Sequence, residues 1–159
     1  MKFFNQIKFL LNFIHYTSKN FSPCKIYQIL EFKKLKIKNE TIEFGTNNYN
    51  ESFFSLSNIK SRDLYFSNIK NKKDSNFIKI NLEKKNFTKK KFDNIIIFNV
   101  LEHIYDDRNA LHELSKILKK GGKIYISTPF LYRYHEAPKD YKRYTVTYFE
   151  KLLLEKNFK

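Results

Sequence analysis

The sequence predicts an α/β fold: a doubly wound, mostly parallel sheet of about five strands with helices on both faces. Two features of the 159-residue chain predict it. The first is NIIIF at 94–98, which is apolar on consecutive positions. Such a strand must be covered on both faces, as central parallel strands are. The second is the order of the text from 92 to 128: an apolar run, a polar elbow, an amphipathic helix, a Gly-Gly turn and another apolar run. That is a crossover unit, and right-handed crossovers gather the carboxyl ends of the strands on one rim, where ligands bind.

The elements follow in order. Residues 1–40 read as N-terminal helices packed on a core domain at 41–159. Phe3, Ile7, Leu10, Leu11 and Ile14 recur at helical spacing and predict an amphipathic helix laid on the domain. With Lys2 and Lys8 beside that stripe, weak contact with an anionic membrane surface is the alternative. Lys8, Asn12 and His15 interrupt the apolar run and no small-residue cleavage site follows, so neither a signal peptide nor a transmembrane segment is expected, and the location expected is cytoplasmic. Pro23 opens a helix over 24–38 with Ile26, Ile29, Leu30 and Leu35 inward. Strands are expected at 41–45 (TIEFG), 63–68 (DLYFSN) and 77–82 (FIKINL). Asp106 and Asp107 begin the next helix and Lys119 and Lys120 end it, in keeping with its dipole. Ala110, Leu111, Leu114, Ile117 and Leu118 form its buried stripe, and Gly121 supplies a left-handed stop. KIYIST is a strand that Pro129 ends. Thr147 to Glu150 has the spacing of a capping box, followed by an apolar face of Phe149, Leu152 and Leu153.

Composition narrows the function classes. The formal net charge is +15, but Arg stands only at Arg62, Arg108, Arg133 and Arg143. Readers of nucleic acid rely on Arg for bidentate contacts. Lys accompanied by abundant Asn, Ile and Phe instead suggests an AT-rich genome and a solvated basic surface, with no specific nucleic-acid partner. The lone Cys24 excludes an intramolecular disulfide and a Cys-rich metal site, and reads as a small apolar filler. His15, His103, His112 and His135 lack paired ligand spacing, so no metal site is expected. There is no P-loop lysine motif and no Gly-x-Ser-x-Gly elbow.

FDNIIIFNVLEHI, followed by NALHELSKILKKGGKIYISTPF, resembles the second half of class I S-adenosylmethionine-dependent methyltransferases. HEAPKDYKRYT at 135–145 is similar to one bacterial branch of that family. The likeness is strong over 92–158 and in register over 42–82, about two-thirds of the chain. It implies a Rossmann-like fold, S-adenosyl-L-methionine as cofactor, and methyl transfer to a small-molecule or glycan-type acceptor. The family's glycine loop maps to Glu43, Gly45 and Asn47, with Tyr49 at the last glycine position; Asn47 is expected to tolerate a left-handed turn. The position that grips the ribose maps to Asn68. The position that meets adenine maps to Asn81, beside Leu82. Both keep an acceptor oxygen and lose a charge, at a cost on the order of 1–3 kcal/mol in binding. Asn99 faces the methionine portion of the cofactor or serves as a turn residue, and His103 fixes the elbow. His135 is the general-base candidate, with positioning of ligand or loop as alternatives. Asp140 orients it or holds substrate. Tyr141, Arg143 and Tyr144 shape the acceptor pocket, unless Asp140 and Arg143 form an ion pair that only pins the loop.

Family members continue with two further strands. Without them the strand at 123–127 exposes a hydrophobic edge. That edge predicts covering by a second copy or by the N-terminal helices, or else a truncated gene product. The alternative function is accordingly a non-catalytic, degenerate relative that acts as an interaction module.

Overall fold

Ile95, Ile96 and Ile97 are each fully buried, and alternation along the strand sends them to opposite faces. Ile95 and Ile97 join one apolar cluster with Ala110, Leu111, Leu114 and Leu152, while Ile96 joins a second with Ile26, Ile29, Phe32 and Phe54. A computed structural model describes residues 2–57, 63–70, 74–85, 88–136, 138–156 and 158. Its elements are α1 (Lys2–Thr17), α2 (Pro23–Phe32), β1 (Thr41–Phe44), α3 (Phe53–Ser57), β2 (Leu64–Ser67), β3 (Phe92–Phe98), α4 (Asp107–Ile117), β4 (Leu118–Ser127) and α5 (Val146–Glu155). The second cluster lies on the side of α2 and α3, the first on the side of α4 and α5. This is the Rossmann-like architecture with both faces of the sheet covered.

Among the described residues the sheet has four strands, all parallel, in the order β2-β1-β3-β4. The chain leaves β1 to one side for β2 and returns on the other side as β3. The boundary between β1 and β3 is therefore the switch point, where a crevice opens beyond the strand ends. The expected strand at 77–82 is reduced to one parallel bridge, Phe66 with Phe77. Past it the chain turns: the carboxamide of Asn81 accepts from the N–H of Glu83 at 2.9 Å, and Ile80 and Leu82 enter the core.

Several boundaries and faces differ from the sequence expectations. α1 forms, but Ile7, Leu10, Leu11 and Ile14 are exposed rather than packed. The helix docks through Phe13 and Tyr16, whose hydroxyl donates to the Leu56 carbonyl at 3.0 Å. The side chain of Phe3 lies outside the described residues. Among those residues no helix is long and apolar enough to cross a membrane. α2 stops at Phe32, short of the expected 38, with Ile26, Ile29 and Leu30 inward and Ser22 as its N-cap. Cys24, read as an apolar filler, is exposed: it sits in the first turn, on the side away from the core. α5 is capped by Thr145 rather than Thr147.

α4 begins as expected, with Asp106 accepting from the N–H of Asn109 at 3.0 Å, but ends at Ile117. Leu118 is already extended and pairs with Phe92, and the register then jumps to Asn94 with Lys123. Gly121, at φ +77°, turns this bulge instead of stopping the helix. The reason is an ion cluster: Lys119 reaches Glu40 at 2.8 Å and Asp93 at 2.9 Å, pulling the chain across the lower end of β3. Hydrogen bonds from Lys119 and Lys90 hold the Glu40 carboxyl down to about 2. β4 forms one edge of the sheet, and a groove of about 1210 Å³ runs along its first half, lined by Leu118, Tyr125, Leu153 and Phe158.

At the other end of the sheet, Gly45 has φ +83°, and a Cβ there would lie 2.5 Å from Val100 Cγ2. We expect Gly45→Ala to lower the unfolding free energy by about 1–3 kcal/mol through backbone strain and this clash. In a denaturant-based double-mutant cycle, Val100→Ala should offset the clash component and leave the backbone component.

Candidate functional site

Both strands at the switch point end in a left-handed residue, Gly45 at φ +83° and Asn99 at φ +54°. Each is tied to a neighbouring strand. The N–H of Gly45 donates to the Ser67 carbonyl and that of Asn99 to the Ser127 carbonyl, both at 2.8 Å. The tips of all four strands are thereby fixed at one rim.

The residues expected to hold a nucleoside are distributed around this rim, and several are already engaged. Glu43 is buried in β1, and its Oε1 accepts from the N–H of Phe53 at the start of α3, at 3.0 Å. Asn47 does not take the left-handed conformation expected of it; its N–H and Nδ2 donate to Glu51 instead, the latter at 3.0 Å. The Oδ1 of Asn68 accepts from the N–H of Ile69 at 2.7 Å, as that of Asn81 does from Glu83. Leu82 is a core residue. Asn99 pairs its carboxamide reciprocally with Gln28 of α2, at 2.8 and 3.0 Å, and Gln28 also donates to Ser127 Oγ at 2.9 Å.

For S-adenosylmethionine, the cofactor that the resemblance implies, the rim keeps the strand-end turns at Gly45 and Asn99, but Val100 stands beside Gly45 and Gln28 engages the Asn99 carboxamide. Asn68 and Asn81 each keep an NH₂ group to offer to ribose oxygens or ring nitrogens.

On the other side of Asn99 lies a cavity of about 620 Å³. Lys25, Gln28, Asn99, Glu102, Ser127 and His135 contribute its polar wall, and Phe130 to Tyr132 part of its apolar wall. Behind Glu102 and His135, two distant segments dock on each other. Nδ1 of His103 meets the Lys139 carbonyl, the N–H of Tyr141 donates to the Glu102 carbonyl at 2.9 Å, and the Tyr144 hydroxyl lies 3.2 Å from the Leu101 carbonyl. Three consecutive elbow residues thus hold the loop that carries His135. Behind His135, Asp140 accepts its backbone N–H at 3.0 Å and places Oδ2 3.1 Å from Nδ1 of the ring. Arg143 clamps the same carboxylate through both terminal nitrogens and holds it well below the usual carboxylate range. Arg143 also reaches the carbonyls of Tyr132 and Arg133, each at 3.4 Å, so it fastens the loop. Tyr141 is exposed and stacks edge-on with Tyr105.

Burial shifts two carboxyls and one ammonium at this rim. Burial raises Glu43 to about 7, against the Phe53 N–H and Lys25, which lower it. Burial raises Glu102 to about 7 as well; neither of its carboxylate oxygens receives a hydrogen bond from another residue. Burial lowers Lys25 to about 8, with its ammonium 3.6 Å from the Phe53 ring centre. Glu102, Lys25 and Gln28 were not among the residues expected at the site. Glu102 had a signal, a carboxylate in the elbow directly after the apolar run of β3. Lys25 and Gln28 had none, because only packing of α2 brings them to the rim.

A family model described as methyltransferase domain matches residues 45–126. No curated protein matches the chain. Solved structures of similar fold include a provisionally assigned methyltransferase from Bacillus halodurans C-125, with TM-score 0.62 and 13% identity over 84% of this chain and 68% of that one. A provisionally assigned methyltransferase solved with the Haloferax volcanii Trm112 methyltransferase activator gives 0.60 and 12%, over 82% and 67%. The YcgJ protein of Bacillus subtilis gives 0.58 and 13%, over 81% and 65%. The chain spans about two-thirds of the length of these structures, and at such identity the likeness is one of fold.

The buried carboxyl of Glu43 yields a stability test. Its folded-state value is raised from 4.5 to about 7, so the stability of the protonated form is fully present below 4.5 and is lost as pH rises to about 7. Glu43→Gln removes that loss. Denaturation curves should show the variant gaining on the parent by about 3 kcal/mol between pH of about 4.5 and about 8. A difference that stays flat with pH would rule this out.

Proposed function

We propose, for a chain that belongs to the methyltransferase domain family, that it transfers a methyl group from S-adenosylmethionine to a small-molecule or glycan-type acceptor. One observation carries the acceptor side: the 620 Å³ cavity begins at Asn99, at the switch point, and is walled by Glu102 and His135. The cofactor, when bound, supplies a methyl group already activated by its sulfonium. The chain has to hold both partners in line and keep water out. Gly45 and Asn99 face the methionine portion, and Asn68 and Asn81 hold the adenosine through neutral amides. Phe130 to Tyr132 cover the acceptor. His135, on the wall of the cavity, is the imidazole placed to take the proton of an acceptor hydroxyl.

A second reading, a non-catalytic relative, is favoured by a specific observation. The Asn68 and Asn81 oxygens are spent on local N–H groups, and Val100 fills the space beside Gly45. Calorimetric titration with S-adenosylhomocysteine separates the two. Saturable binding is expected in the submillimolar range, and Asn68→Asp should tighten it about tenfold by restoring a charge-assisted bond. No binding of either protein at millimolar ligand would leave only the second reading.

A further inference from the structure

Glu102 is 0% exposed, yet both of its carboxylate oxygens lack a hydrogen-bond partner. A buried carboxylate is costly unless something cationic or a donor meets it. Two imidazoles stand beside it. Nε2 of His103 stands 3.8 Å from Glu102 Oε1, and the His103 and His135 rings meet edge to face with centres 5.0 Å apart. One ligand atom from each of the three residues falls within 4.8 Å of the other two.

The surroundings prepare both rings as ligands. Nδ1 of His103 is held by the Lys139 carbonyl, which fixes the tautomer with its proton on Nδ1 and leaves the lone pair on Nε2. Asp140, clamped by Arg143, accepts the backbone N–H of His135 and so holds the loop that carries the ring; Nδ1 of that ring is buried and makes no hydrogen bond of its own. A backbone carbonyl behind the His103 imidazole is the kind of outer partner that metal-ligating histidines use. The two segments that supply the ligands are docked through the elbow contacts, so the site is built by the fold and not by sequence spacing.

We propose that Glu102, His103 and His135 form a binding site for one divalent transition-metal ion of the zinc type, open towards the cavity. Two nitrogens and one carboxylate suit zinc, cobalt or iron, whereas magnesium and calcium prefer all-oxygen shells. Three protein ligands leave at least one coordination position, as in catalytic zinc sites. Glu102 and His135 both line the cavity, so that position is where an acceptor hydroxyl or carboxylate oxygen would bind. A ligated His135 cannot also take the acceptor's proton, so a filled site reassigns that residue from base to ligand. A filled site would stand against the expectation, drawn from the spacing of the histidines, that the chain holds no metal.

Cobalt titration of the full chain after chelator dialysis tests the site. One equivalent of Co²⁺ should give the visible bands of a four- or five-coordinate ion, and Zn²⁺ should displace it. His103→Ala and His135→Ala should each weaken binding by more than about 100-fold, beyond the loss of an outer partner alone. His135 lies on a partly exposed loop, so its variant should keep the parent circular dichroism even if removal of His103 disturbs the elbow. His112→Ala, on the exposed face of α4, should bind as the parent does. Absence of a stoichiometric equivalent in the parent, or binding that persists in both cluster variants, overturns the proposal. The titration contains no nucleoside, so its outcome is independent of cofactor binding.

Discussion

Three consecutive isoleucines in β3 leave that strand no face for water. Each is worth about 1.5–3 kcal/mol when buried, and they can be buried only if both sides of the sheet are covered. That requirement recruits α2 and α3 to one face and α4 and α5 to the other. It also places β3 between β1 and β4, and so creates the switch point. The left-handed turns at Gly45 and Asn99 then become the natural place for a ligand, because the strand ends diverge there.

The two ends of the sheet divide the labour. At the amino end, Glu40, Asp93, Lys90 and Lys119 form an ion cluster that sets the bulge of β4. Exposed pairs of this kind contribute little individually, and their role here is to fix register. At the carboxyl end the charged groups are buried or face a cavity. Desolvation shifts Glu43, Glu102 and Lys25 towards their neutral forms, and groups shifted in this way cluster at functional sites.

The docking of the elbow at 101–103 onto the loop at 139–144 joins the two segments that most resemble the family. Sequence likeness identified each separately and could say nothing of their contact. Their union places His103 beside His135 and leaves Glu102 enclosed. It also explains why Arg143 and Asp140 belong to the loop's own fastening as much as to any substrate.

Hydrophobic patterning was enough to predict the central strand, the amphipathic α4 and the parallel α/β class, because burial on both faces writes itself as an unbroken apolar run. The same patterning misplaced the face of α1, since periodicity shows that a helix has an apolar stripe but not whether a surface is there to receive it. It misplaced the end of α4 because Lys119 is captured by Glu40, a residue far away in sequence. The pairing of Gln28 with Asn99, the exposure of Cys24, and the convergence of Glu102, His103 and His135 were decided by tertiary structure alone. Each depends on elements brought together across the rim, and no local spacing encodes that distance.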